Sequence, residues 1–99
     1  MPKVIHCDTL QEVREQIDRI DTLIVDLVAE RTKYVFQAAR FKNTREAVRV
    51  PPRINSIINR VRSMAKETEL DPDMIESVYR HLIEQSIVGE SRYWEKINN

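Results

Sequence analysis

The chain's chemistry rests on a few polar side chains standing in rows that are otherwise hydrophobic. Leu10, Val13, Ile17, Ile20, Ile24 and Leu27 recur at steps of three and four, the spacing of one face of a helix. The next place in that row is Arg31, followed by Tyr34, Ala38 and Phe41. A guanidinium does not give up its proton, and an unpaired buried ion costs several kcal/mol, so Arg31 calls for an anion. That anion is either a ligand or a structural carboxylate such as Asp26 or Glu30 of a neighbouring helix; a third possibility is that the side chain reaches solvent. A second row, Ile75, Val78, Tyr79, Leu82, Ile83, Ile87, Tyr93, Trp94 and Ile97, is broken by Ser86 and Glu90, one turn apart and next to Gly89, the only glycine. Burial favours Glu90 as a neutral acid that donates a hydrogen bond, whereas a base beside it favours the carboxylate. A plain ion pair with Arg31 or another base is the competing reading.

Two more cations belong to the first row's helix. Lys42 follows Arg31 by 11 residues, about 16 Å along the axis and close to the same face. Arg14 precedes Arg31 by 17 residues, roughly 25 Å away and turned about 100° round the helix. The two arginines therefore cannot grip one small molecule within a subunit. If two copies of the helix cross antiparallel with their dyad near Ile24, the partner copy's residue 14 falls opposite residues 34 and 35. Two guanidiniums and one ammonium drawn from two chains then suit a compact dianion, with arginine forks on its carboxylates.

The elements that position these groups are helices. Thr9 and Glu12 form a capping-box pattern, and neither Gly nor Pro occurs between Lys3 and Val50, so one helix is expected over about residues 9–42. Its length, about 51 Å, exceeds the roughly 34 Å breadth of a compact domain of this size. The helix must project past its own subunit, and a two-fold homodimer is the expected solution. Residues 43–50 lose the periodicity and end at Pro51-Pro52, which reads as a loop suited to a lid or a plain connector. A second helix is expected over about 52–67, with Ile54, Ile57, Ile58, Val61, Met64 and Ala65 on its apolar face. Asp71-Pro72 then starts a third helix over about 72–97. The expected fold is all-α: a three-helix subunit forming one domain over residues 1–99.

Composition narrows the function. Sixteen basic and sixteen acidic residues cancel, which gives no electrostatic case for nucleic acid. No apolar stretch is long enough to cross a membrane, the N-terminal Met1-Pro2-Lys3-Val4-Ile5-His6 lacks an apolar leader core, and the single Cys7 fits a reducing cytoplasm. His6 and His81 lack partners at metal-ligand spacing, one glycine cannot build a phosphate loop, and Ser86 has no triad context. No metal and no cofactor are expected.

The segments Val13-Arg14-Glu15-Gln16-Ile17-Asp18-Arg19-Ile20-Asp21, Arg31-Thr32-Lys33-Tyr34-Val35, Arg40-Phe41-Lys42, Pro52-Arg53-Ile54 and Glu90-Ser91-Arg92-Tyr93-Trp94 resemble the all-helical chorismate mutase family, including its isochorismate pyruvate lyase branch. The resemblance covers nearly the whole chain and implies an intertwined homodimer with shared active sites. It further implies that Arg14 of one subunit and Arg31 of the other hold two substrate carboxylates, and that Lys42 and a protonated Glu90 donate to the ether oxygen. By the same resemblance Ser86 and Arg53 contact substrate, while Ala38, Ile83 and Ile87 form apolar walls. Bacterial mutases carry an acidic pair for the substrate hydroxyl where this chain has Val50 and Ile54. That departure, the loop spacing and Tyr93-Trp94 lean toward the lyase, whereas Ser86 leans toward the mutase and Glu90 fits neither bacterial pattern. The first expectation is a mutase turning chorismate into prephenate, with no cofactor. The second is a lyase giving salicylate and pyruvate from isochorismate. A third, from another class, is a non-catalytic helical dimer that binds a dicarboxylate or a partner protein.

Overall fold

Among the described residues the chain forms three helices and one short 3-10 turn. The structure, a computed structural model, describes residues 3–99. Met1 and Pro2, part of the N-terminal stretch read above as lacking a leader core, lie outside the described residues. Helix α1 covers Leu10–Ala39, α2 covers Pro51–Glu67 and α3 covers Pro72–Ile97, with the 3-10 turn at Glu46–Val48. No strand occurs among the described residues, so the fold is all-α.

Each start is set by a local hydrogen bond. Thr9 Oγ1 accepts from the Glu12 N–H at 3.1 Å, and Glu12 reaches back to the Asp8 N–H at 2.8 Å. The capping box thus closes one residue further upstream than its usual form. Asp71 caps α3 by accepting from the Asp73 N–H at 2.9 Å, with Pro72 in the first turn, where its missing N–H costs nothing. Val50 is extended and α2 begins at Pro51, because a residue before proline is pushed out of the helical region.

Helix α1 stops at Ala39, three residues before the expected Lys42. The chain tightens there: the N–H groups of Arg40, Phe41 and Lys42 bond three residues back, to Gln37, Ala38 and Ala39, at 3.0 to 3.3 Å. The last carbonyl of this turn, that of Lys42, accepts from the Trp94 indole N–H at 3.0 Å, so a tertiary contact with α3 replaces continued helix. Phe41, expected in the apolar row, is exposed as a result, with the Arg40 guanidinium 5.7 Å above its ring.

The core lies between α2 and α3, where Ile57, Ile58, Val61 and Ile83 are buried with Ile54, Ile75, Tyr79 and Ile87 packed around them. The C-terminal part of α1 lies on α3 through a parallel stack of Phe36 on Tyr93, centroids 4.8 Å apart. The rest of α1 projects. Its apolar row at Val13, Ile17, Ile20, Ile24 and Leu27 is 39% to 64% exposed. The molecule measures 56 × 25 × 17 Å with a radius of gyration of 16.9 Å, against about 13 Å for a compact chain of this length.

Gly89 sits inside α3, and a Cβ placed on it would meet Phe36 Cε1 at 3.5 Å, an ordinary contact. The close approach that a helical glycine suggests is therefore loose enough for a methyl group. Gly89→Ala is expected to stabilise the protein by about 0.5–1 kcal/mol through the helix backbone alone; a lowered urea midpoint would contradict this.

Candidate active site

The end of α1, the start of α2 and the middle of α3 enclose a cleft of about 320 Å³. Arg31, Tyr34, Val35 and Ala38 reach it from α1, one helical face repeating every three or four residues. Lys42, Val48 and Val50 come from the connecting segment, Arg53, Ile54 and Ile57 from α2, and Ile83, Ser86, Ile87 and Glu90 from α3. Of the residues named from the sequence, Arg31, Lys42, Glu90, Arg53, Ser86, Ala38, Ile83 and Ile87 all line this one cleft. Arg14 does not; it lies on the projecting part of α1.

The two sequence anomalies find different partners. Arg31 donates through Nη1 to Ser86 Oγ at 2.8 Å, and the Ser86 hydroxyl in turn donates to the Leu82 carbonyl at 2.8 Å. Arg31 thus takes neither Asp26, Glu30 nor Glu90, and among the described residues no carboxylate stands within ion-pair distance of it. Ser86 fixes one edge of the guanidinium and leaves donors over for a ligand. Glu90, 6% exposed, is the buried charged residue of α3, and it accepts from Lys42 Nζ at 2.8 Å. The short turn after Ala39 carries Lys42 to that carboxylate, a position that a continuing helix would not have predicted.

Arg53 also faces the cleft and has no ion-pair partner among the described residues. Three cations, Arg31, Lys42 and Arg53, therefore share the cleft with one carboxylate, Glu90. An excess of positive charge between apolar walls favours a compact anion with an apolar body, and the guanidiniums favour carboxylates. The described residues hold no cluster of three metal-ligating side chains, and the lining contains no cysteine. Such a lining can position an anion and stabilise charge that develops on it.

Tyr34, Val35, Val48 and Ile57 line the cleft without having been singled out as site residues. Tyr34 was legible, since it stands one turn beyond Arg31 in the same row. Val48 carried no signal because it belongs to the segment where periodicity fails. Conversely, Tyr93 and Trp94 lie behind the cleft. Tyr93 supports α1 through Phe36, and Trp94 holds the Lys42 carbonyl.

Beside the cleft Arg49 makes a bidentate pair with Glu84, both bonds 2.8 Å. The Arg49 hydrogen bonds, and then its charge, hold the Glu84 carboxyl below the usual carboxylate range. A carboxyl lowered in the folded state adds stability above its unfolded value and loses it as pH falls through its folded one. Wild type is therefore expected to melt above Glu84→Gln at pH 7, with the two melting temperatures converging below about pH 4. A gap that persists in acid would show that the pair is not its source.

Three helices, the first of them projecting, around a cationic, apolar-walled cleft define the class of small all-helical proteins into which the chain falls. The chain belongs to the chorismate mutase type II family, whose model matches residues 13–91. Its sequence is 33% identical to an isochorismate pyruvate lyase of Pseudomonas aeruginosa over 90 residues, 91% of this chain and 89% of that protein. It is 31% identical to a chorismate mutase of Methanocaldococcus jannaschii over 93 residues, 93% of this chain and 94% of that one. It is also 29% identical over 87 residues to a bifunctional chorismate mutase/prephenate dehydratase of Buchnera aphidicola, covering 87% of this chain and 23% of that protein.

Proposed function

We propose that the protein is a chorismate mutase that rearranges chorismate to prephenate by a concerted pericyclic step without a cofactor. The observation that carries this reading is the cleft in which Arg31, Arg53 and Lys42 face one another across apolar walls, with Glu90 bonded to Lys42. Arg31 holds one of the substrate's two carboxylates, Arg53 contacts the substrate from α2, and Ser86 keeps the Arg31 fork in place. Ala38, Ile83 and Ile87 press the apolar body into the conformer in which the breaking and forming bonds are aligned. As the C–O bond breaks, negative charge grows on the ether oxygen. Lys42 donates to that oxygen from one side and Glu90, as the neutral acid, from the other.

The site is completed by a second copy of the chain. The exposed apolar row of α1 supports a homodimer, as does an extent of 56 Å in a chain of 99 residues. An antiparallel crossing near Ile24 brings the partner copy's residue 14, an arginine, opposite residues 34 and 35, where it grips the second carboxylate. No described helix is long and apolar enough to cross a membrane, and a cytoplasmic role in making aromatic amino acids accords with these properties.

A second reading has its own observation. Val50 and Ile54 line the cleft, so that wall offers no carboxylate for a ring hydroxyl. An isochorismate pyruvate lyase, another concerted reaction through a similar conformer, would use the same cations. The deciding experiment gives the purified protein chorismate and, separately, isochorismate, and identifies products from acidic to slightly alkaline pH. Prephenate from chorismate establishes the mutase. Salicylate and pyruvate from isochorismate, with weak action on chorismate, establish the lyase. A ligand-induced rise in melting temperature without turnover of either would mean a binding protein.

A further inference from the structure

The segment between α1 and α2 lacks sequence periodicity, yet besides the Lys42–Glu90 bond in the cleft it is fastened to α3 at three further points. Trp94 donates to the Lys42 carbonyl at 3.0 Å, Arg45 pairs with Glu95, and Arg49 grips Glu84 through two bonds of 2.8 Å. Glu84 and Glu95 stand 11 residues apart on α3, about 16 Å along its axis and nearly on one face. The segment runs the opposite way, Arg45 at the Glu95 end and Arg49 at the Glu84 end. Between them the 3-10 turn Glu46–Val48 covers the flank of α3 and buries Val48.

The backbone bonds of this turn are local. Ala47, Val48 and Arg49 donate to Thr44, Arg45 and Glu46 at 3.2 to 3.3 Å. What holds the turn on α3 is therefore the buried Val48, the indole bond and two ion pairs. Both pairs are about half exposed. One end of the strap carries Lys42 and the other carries Val48 and Val50, all three lining the cleft.

We propose that Arg45 and Arg49, through their ion pairs with Glu95 and Glu84, are positioning residues that strap residues 43–50 onto α3 and so set where Lys42 and Val48 stand in the cleft. Neither arginine lines the cleft, so they act through the segment they anchor. The effect on turnover rests on the catalytic reading given above; the effect on Lys42 does not. Exposed ion pairs are screened by salt, so the strap loosens as ionic strength rises.

The test reverses the strap's charges with Arg45→Glu/Arg49→Glu and restores them with the fourfold variant that adds Glu84→Arg and Glu95→Arg. Three quantities are read at low salt: hydrogen exchange at the amides of Ala47, Val48 and Arg49, the rate at which a small amine-acylating ester labels Lys42, and kcat and KM. Reversal is expected to speed exchange and Lys42 labelling about tenfold, as the loss of two exposed pairs plus like-charge repulsion implies. It is also expected to lower kcat by a similar factor with a smaller change in KM. The fourfold variant should recover most of each effect, and 0.5 M NaCl should push wild type toward the reversed variant. Unchanged exchange and labelling on reversal overturn the proposal. So does a fourfold variant that labels as fast as the reversed one, because the arginine stems rather than the pairing would then be responsible. Faster labelling with kcat intact overturns the positioning role. If wild type turns over neither chorismate nor isochorismate, the catalytic reading has failed on its own, and exchange and labelling alone decide whether the strap places Lys42.

Discussion

Arg31→Ala is expected to lower kcat/KM for chorismate by about a thousandfold while leaving the melting temperature within a few degrees of wild type. The size follows from the surroundings of the guanidinium. Its partner Ser86 is uncharged, and no carboxylate of the chain stands within ion-pair distance among the described residues. The fork is therefore available to a ligand, and an arginine–carboxylate grip in a site shielded from water is worth several kcal/mol. Stability changes little because the lost protein partner is a single hydroxyl, which retains its bond to Leu82. Arg31→Lys keeps the charge but not the fork and should fall between the two. Steady-state kinetics with thermal melts on the same samples check both halves. Full activity in the alanine variant would remove Arg31 from the site; an active wild type abolished by the substitution would eliminate the reading of the protein as a mere binder.

Glu90→Gln should make the enzyme faster at neutral pH. In the free protein Glu90 accepts from Lys42 at 2.8 Å inside a cleft that exposes only 6% of the residue. As a carboxylate it faces the ether oxygen with negative charge and draws a Lys42 proton away from it. As the neutral acid it donates. A glutamine amide keeps an oxygen for Lys42 and donates at every pH. Glu90→Gln is thus expected to raise kcat/KM at pH 7 by about tenfold or more, the range that one well-placed donor supplies. Steady-state rates at pH 7 test this, and a variant no faster than wild type would mean that Glu90 does not face the ether oxygen as a carboxylate.

Much of this arrangement could be read from the chain because polar residues interrupt apolar rows. Arg31, Ser86 and Glu90 each break a helical stripe, and all three meet in one cleft. Pro51-Pro52 and Asp71-Pro72 mark helix starts through backbone sterics that act within two or three residues. The end of α1 was not legible, since it depends on an indole from α3, 52 residues away in sequence. For the same reason the chain did not say which base would pair with Glu90, Arg31 or another; the structure gives it Lys42. The ties from Arg45 and Arg49 to α3 also have no local signature, because ion pairs across long separations leave no periodicity. Glu69 is a further case. It ends α2 at φ 60°, a left-handed position where glycine is usual, while the Leu70 N–H closes on the Ala65 carbonyl at 2.8 Å.

Trp94 is the only tryptophan in the chain, and its indole N–H ends on the carbonyl of the residue whose ammonium enters the cleft. The protein therefore carries its own optical reporter. An event that shifts the Lys42 backbone strains that bond and alters the hydration of the ring, which moves the emission of a single fluorophore with no background from others of its kind. Occupancy that moves the Lys42 backbone is expected to be visible by light in the unlabelled protein, on the timescale of mixing.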